Sequence, residues 1–295
     1  MTQWCRACLS TDVRDHPASR ATGTVIQECC LCGLHSVRDR ESLEFYAALY
    51  DGDRDSFEEW ASELRTHVVD RRHVEALARL TGMLGPVESP SIFDIGAGDG
   101  AFLEMARQSG FRAHGNEVWT GAIQRARDVR DIELSFGDLS QLSDPGTHDV
   151  VTMWCVLAHV PDEDALLRRV WSMLDPGGYL LMQTPRYSSL DTMAMAMHDL
   201  TRGRVSRISD RRLAEHHMSL HTEKSIRQVL DRLGFEVVTV EARSRWGFTT
   251  ESYLESLDLP QRVLRPAAKV IDRLVERGWF FRNVLDVLAR RPAGP

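Results

Sequence analysis

A chain of 295 residues holds one large domain, or a core domain with a small appendage. Its 43% hydrophobic and 27% charged residues are ordinary for a globular domain, and the formal net charge of -7 speaks against nucleic acid as a partner. The most apolar run, VVTMWCVLAHV at 150–160, is 11 residues long, against the ~20 that a membrane span needs. MTQWCRACLS has no charged-then-apolar signal pattern, so the expectation is a cytoplasmic protein without membrane association.

Residues 1–40 carry five of the six cysteines. Cys5 and Cys8 form one pair with two residues between them, and Cys29 and Cys32 form a second, followed by Gly33. In a reducing compartment such pairs offer four thiolates to one structural zinc ion, and the glycine frees the tight knuckle turn. Cys30 competes with Cys29 on spacing alone. The segment is expected to be a small zinc-ribbon-like module that depends on its metal for folding. Residues 41–89 follow as a helical linker or lid. The spacing predicts a helix over 55–84, with Leu64, Val68, Val74, Leu77, Leu80 and Leu84 recurring loosely at three- to four-residue steps, ended by GPVESPS.

From 90 to 295 strand-like and helix-like segments alternate. Strands are expected in SIFDIG, RAHGNEV, IELSFG, DVVTMWCV, GGYLLMQTP and FEVVTVEA, and NVLDVLAR reads either as a closing strand or as the continuation of a helix. Helices are expected through AFLEMARQ, TGAIQRARDV, DEDALLRRVWSML and residues 222–233, the last with Thr222 as N-cap. The pattern predicts an α/β fold: a Rossmann-like, doubly wound, mostly parallel seven-stranded sheet. Two stretches interrupt it, 186–221 and 243–282. Insertions at a sheet's rim commonly carry substrate recognition.

FDIGAGDG, 93–100, sets Gly96, Gly98 and Gly100 between a strand and a helix, so main-chain amides can meet a ligand closely. The spacing differs from the dinucleotide fingerprint, and Asp99 inside the turn would repel a pyrophosphate. Asp94, Glu117 and Asp138 stand at the ends of three successive strands. Glu117 suits two ribose hydroxyls and Asp138 an exocyclic adenine amine, the line along which S-adenosylmethionine would lie.

On FDIGAGDGAFL, GNEV, GDL, VLAHVPD and LDPGGYLLMQTP, the sequence over roughly 90–242 resembles the class I S-adenosylmethionine-dependent methyltransferases. The resemblance implies a cofactor site of Asp94, Gly96, Ala97, Gly98 and Gly100 at the methionine part. Glu117 and Val118 fall at the ribose, Asp138 and Leu139 at the adenine, and Trp154 and Cys155 on the methyl-transfer side. With the N-terminal cysteine module and HMSLHTEKSIRQVLDRLGF, the chain resembles a subgroup that includes deoxysugar C-methyltransferases of antibiotic biosynthesis. There His217 falls on the family histidine, and Leu220 and His221 stand at its aromatic positions.

The resemblance implies an enzyme methylating a small molecule, either a sugar, free or nucleotide-linked, or a glycosylated natural product, on oxygen or carbon. A phenolic aglycone is the alternative acceptor. A zinc-module adaptor with a vestigial cofactor fold, or a nicotinamide oxidoreductase, are the readings from other classes. His217, His221 and Tyr187 are the candidate bases. Arg202, Arg204, Arg207, Arg211 and Arg212 are candidates for holding a diphosphate or form a solvated basic face. Met193, Met195 and Met197 are candidates for an apolar wall over the acceptor. A monomer or homodimer is expected.

Overall fold

The structure, a computed structural model, describes residues 4–38, 69–213, 217–244, 261–276 and 282–294. The expected helix over 55–68, with Leu64 and Val68, lies outside the described residues, as do most of the 41–89 linker and much of the 243–282 insertion. In chain order the elements are β1 (Val13–Asp15), β2 (Ile26–Cys29), β3 (His35–Val37), α1 (Val69–Leu84), β4 (Ser91–Ile95), α2 (Ala101–Gln108), β5 (Arg112–Glu117), α3 (Thr120–Arg130) and β6 (Ser135–Phe136). There follow β7 (His148–Trp154), α4 (Glu163–Met173), β8 (Leu174–Pro185), α5 (Ser189–Leu200), α6 (Arg207–Arg212), β9 (Ser219–Leu220), α7 (Glu223–Arg232), β10 (Glu236–Arg243), α8 (Gln261–Glu276) and β11 (Val284–Arg290).

The chain divides into two compact units. One comprises Ser42–Gln183, Leu230–Thr239 and Val287–Pro295. It is built on a seven-stranded sheet in the order β10-β11-β8-β7-β4-β5-β6, with the pairs from β8 to β6 parallel. The mostly parallel α/β sheet expected from the sequence is therefore present. Its central strands are apolar on both faces because helices cover both. All five residues of β4 are buried, as are the four from Val150 to Met153 in β7. Ile92, Leu103, Phe102, Ala106, Val150 and Leu181 form the core.

Two local expectations fail for stated reasons. Of the strand expected over 132–137 only Ser135 and Phe136 are extended, and both are exposed at the sheet edge; Ile132 and Leu134 turn into the core instead. Val74 does not share the inward face of α1. It is 55% exposed while His73, Leu77 and Leu80 are buried, since the inward stripe runs through those three and Val74 lies about 100° round the helix from His73.

The other unit comprises Met1–Glu41, Thr184–Val229 and Val240–Asp286. Its sheet runs β1-β2-β3-β9, antiparallel, with His35 opposite Leu220 and Ser36 opposite Ser219. A strand from the segment after β8 thus completes the sheet of the cysteine-rich module. Side chains tie the same two segments together. Ser19 donates to Asp210 at 2.6 Å, His198 donates from Nε2 to the Pro17 carbonyl at 2.7 Å, and Thr222 donates to the Cys32 carbonyl at 2.6 Å. Ile26, Val37, Met195, Leu213 and Leu220 form a small core, with Tyr187 packed against it. Among the described residues no helix is long and apolar enough to cross a membrane.

Candidate functional site

The three glycines of the turn after β4 do different work. All have positive φ, between 56° and 76°. A Cβ on Gly96 would clash with Val156 at 2.7 Å, and one on Gly100 would crowd Ile132 and Ala126 at 3.2 and 3.3 Å. A Cβ on Gly98 would meet nothing within 4 Å. The middle glycine alone borders open space, and it is where a ligand can approach the main chain.

Glu117, at the end of β5, turns its carboxylate into this loop. Oε2 accepts the Gly98 N–H at 2.8 Å, while Oε1 accepts from Val118 at 2.8 Å and Trp119 at 3.1 Å. Asp94 is 1% exposed and accepts from the Thr152 hydroxyl at 2.6 Å. Burial pushes its carboxyl up to about 8, opposed by that hydrogen bond and reinforced by Glu117. Asp138 caps the single turn Leu139–Gln141, accepting from Ser140 at 2.8 Å, and Leu139 is buried beside it. These residues belong to one unit, and the three acids stand at the ends of the neighbouring strands β4, β5 and β6.

Asp99 does not act as expected from the sequence. Its carboxylate faces Arg130 at 3.4 Å and Arg125 at 3.6 Å, which offset its charge. The carboxylate that faces the turn is that of Glu117. At the end of β7, Trp154 packs edge-on against Phe102 and tilted against His73, with ring centroids 5.1 and 4.5 Å apart. Cys155 is half-buried at φ 61°, a left-handed conformation unusual for a side-chain-bearing residue, and its N–H donates to the Gln183 carbonyl at 2.8 Å. No spacing rule flags that strained position.

In the other unit Cys5, Cys8, Cys29 and Cys32 bring their sulfurs within 4.8 Å of one another. The Cys5–Cys32 and Cys8–Cys29 separations are 3.5 Å each. Tetrahedral coordination at the zinc–sulfur distance gives edges of about 3.8 Å, so the donor set fits a thiophilic tetrahedral ion. Burial raises the Cys8 thiol, and the hydrogen bond to Cys5 raises Cys32, as expected where several sulfurs compete to ionise without a cation. Two matching turns build the cluster: Leu9 donates to the Cys5 carbonyl and Gly33 to the Cys29 carbonyl, each at 2.8 Å. Cys30 is exposed and stands outside the cluster.

The proposed bases lie in the same unit as the cysteines. His217 is half-buried and holds the Arg212 carbonyl with Nδ1 at 2.8 Å. His221 is wholly buried, with Nδ1 3.0 Å from the Ser225 hydroxyl, and its carbonyl accepts the Tyr187 N–H at 2.8 Å. Tyr187 stacks on His35 with centroids 3.7 Å apart, and burial pushes its phenol up to about 12. Tyr187 and His221 are therefore brought together through the main chain.

The arginine group is split. Arg202, Arg204 and Arg207 are exposed, whereas Arg212 is committed to Asp191 at 2.8 Å and to the Arg186 carbonyl at 2.8 Å. The methionines do not form a wall: they lie on helix α5, with Met195 buried and Met193 and Met197 68% and 47% exposed.

Comparison with known proteins agrees with this geometry. A methyltransferase-domain family model matches residues 51–240, more than half of the chain. The ubiquinone biosynthesis O-methyltransferases of Ralstonia nicotianae and Paraburkholderia xenovorans are 27% identical over 107 residues and 29% over 119. Those matches cover 34% and 38% of this chain and 44% and 48% of the relatives, so the chain spans less than half the length of either. Among solved structures, the Synechocystis magnesium protoporphyrin IX methyltransferase with bound S-adenosylhomocysteine aligns at TM-score 0.54 and 15% identity, covering 83% of this chain and 98% of that one. The Haemonchus contortus phosphoethanolamine N-methyltransferase 2 in complex with S-adenosylmethionine aligns at 0.51 and 18%, covering 75% and 52%. The chain belongs to the methyltransferase-domain family, on the class I S-adenosylmethionine-dependent fold.

Proposed function

We propose that this protein transfers the methyl group of S-adenosylmethionine to a small-molecule acceptor. The observation that carries the reading is the line of Asp94, Glu117 and Asp138 at the ends of β4, β5 and β6, beside a glycine whose missing side chain leaves open space. Glu117 and Val118 hold the ribose, Asp138 and Leu139 the adenine, and Asp94 with the Gly96–Gly100 turn the methionine part. A buried carboxyl at Asp94 gains from a nearby sulfonium, because the cation favours its ionised form. The cofactor supplies the electrophilic methyl; the chain's task is to hold the acceptor in line and take its proton.

His217 is the base we assign. Its Nδ1 faces a carbonyl that can only accept, which fixes the Nδ1–H tautomer and puts the ring's lone pair on Nε2. His221 and Tyr187 are weaker candidates. The former is enclosed, and the latter holds its proton more tightly than an ordinary phenol. The four cysteines hold zinc in this reading, as a structural ion with no open position.

The acceptor we favour is a sugar or glycosylated natural product, methylated on oxygen or carbon. The support is the pairing of a cysteine module with the segment around His217, which share one unit and one sheet. A phenolic acceptor is the second reading, favoured by the likeness to O-methyltransferases of ubiquinone biosynthesis, though those matches extend over little more than a third of this chain. Purified protein incubated with S-adenosylmethionine and panels of nucleotide-linked deoxysugars and phenols, read as S-adenosylhomocysteine and product mass, tests both. Turnover confined to phenols sinks the sugar reading, and absence of S-adenosylhomocysteine binding sinks the cofactor reading.

A further inference from the structure

A second convergence of ligating groups lies in the cysteine-rich unit and plays no part in the reading above. His16, Glu28 and His35 each offer one donor atom, and these atoms lie within 4.8 Å of one another. The backbone sets this up. Glu28 and His35 are directly opposite each other on β2 and β3, so their side chains share a face. His16, just past β1, is held by its N–H on the Ile26 carbonyl at 2.8 Å. Both imidazoles are buried, at 5% and 3% exposure.

The proton positions follow from the partners. His16 Nδ1 lies 2.8 Å from Asp199 Oδ1, and His35 Nδ1 lies 3.1 Å from the Gly33 carbonyl. Both partners only accept, so each ring carries a hydrogen on Nδ1 and turns Nε2 away from that partner. Orientation of an imidazole by a carboxylate or a carbonyl behind it is what a metal-bound histidine requires. His16 Nε2 has no hydrogen-bond partner among the described residues and faces Glu28 Oε2 at 3.5 Å. An imidazole nitrogen facing a carboxylate oxygen across a largely buried gap calls for a cation or a proton between them. Arg14 pairs with Glu28 from the solvent side.

We propose that His16, Glu28 and His35 form a second cation site, for a divalent first-row transition ion held by two imidazole nitrogens and one carboxylate. Three protein ligands leave positions open, unlike the four-cysteine cluster, and nitrogen and oxygen donors suit manganese, iron, cobalt or zinc. The site is independent of the methyltransferase reading.

The full-length protein, with its as-isolated metal content determined, is titrated with Co2+ and followed by calorimetry and visible absorption. We expect one Co2+ bound per chain with the weak bands of nitrogen and oxygen ligation, and no sulfur-to-metal charge-transfer band. Glu28→Gln and His16→Gln should each weaken this binding at least tenfold while the far-ultraviolet circular dichroism stays unchanged. Should either variant misfold, the wild type decides: bound Co2+, being paramagnetic, must displace the imidazole proton resonances of His16 and His35. Unmoved resonances, no binding, equal affinity in both folded variants, or a sulfur band alone would each overturn the site. The last would report exchange at the cysteines, which Cys8→Ser removes. A proton bridging His16 to its two carboxylates would then be what fills the gap.

Discussion

The carboxylate of Glu117 accepts the backbone N–H of Gly98 at 2.8 Å, and so the residue proposed for the cofactor's ribose also braces the turn proposed for its methionine part. The other oxygen is fixed by the amides of Val118 and Trp119. Pre-ordering of this kind spares the cofactor the cost of organising its own site. Glu117→Gln replaces one accepting oxygen with a donor facing an N–H. We expect S-adenosylhomocysteine affinity to fall roughly ten- to hundredfold, corresponding to about 1.5–3 kcal/mol, as measured by calorimetry. A thermal melt without ligand should fall too, because the turn loses an internal bond. An unchanged affinity would remove Glu117 from the cofactor site.

Asp94 gives a pH test. Its folded-state value of about 8 lies far above the 3.8 of an exposed aspartate, owing to burial. A raised carboxyl means that the native chain holds its proton more tightly than the unfolded chain. Its contribution to stability is therefore full below pH 3.8 and is lost as pH rises toward 8. Asp94→Asn removes that titration. The variant should be more stable than wild type near pH 8 and less advantaged near pH 5, while binding S-adenosylmethionine more weakly, since no carboxylate remains for the sulfonium. Denaturant melts across pH 5–8 read the first effect. Parallel pH profiles of wild type and variant would refute the assignment.

The sheet was legible because buried parallel strands write themselves as apolar, β-branched runs. SIFDI and VVTM could hardly be anything else, and the glycine turn follows directly from the first. The acids at the strand ends were legible for the same reason: strand ends locate them. What the sequence hid were relationships between distant segments. Nothing in Ser219 and Leu220 signals that they complete the sheet of residues 13–37. His16, Glu28 and His35 have no diagnostic spacing, and only the pairing of β2 with β3 puts two of them side by side. The role of Asp99 was misread because its arginine partners are 26 and 31 residues further on, across α3. Cys155 adopts its left-handed backbone without a glycine to announce it.

Arg212 separates structure from recognition among the arginines of the insertion. It bonds Asp191 through Nε, and Asp191 in turn accepts from the Ser188 N–H and hydroxyl at the start of α5, at 2.7 and 2.6 Å. Both charged groups are largely enclosed, at 15% and 4% side-chain exposure. Removing one partner strands the other, so Arg212→Ala should cost about 3 kcal/mol of stability. Arg202→Ala and Arg204→Ala, on exposed positions, should change stability by less than about 0.5 kcal/mol. If the acceptor carries a diphosphate, one of the exposed arginines should raise its KM without moving the melting temperature. A fall in melting temperature for these two as large as that for Arg212→Ala would contradict the division.

The cysteine cluster makes a discriminating prediction about neighbours in sequence. Cys29 is buried among the sulfurs and Cys30 is exposed one residue later, although spacing alone does not tell them apart. Cys29→Ser should therefore release zinc to a chromogenic chelator and lower the melting temperature, whereas Cys30→Ser should leave both as in wild type. Gly33 adds a second handle. It sits at φ 74°, and a Cβ there would meet Thr222 Cγ2 at 3.0 Å, while the Thr222 hydroxyl holds the Cys32 carbonyl. Gly33→Ala strains the knuckle by roughly 1–2 kcal/mol and pushes against the residue that anchors it. Zinc should leave that variant faster than wild type under the same chelator. Ion and fold are coupled in a module this small, so stripping the metal should cost the β1–β3 sheet its amide protection from hydrogen exchange. Retention of that protection in the metal-free protein would mean that the packing of Ile26, Val37 and Leu220 suffices without the ion.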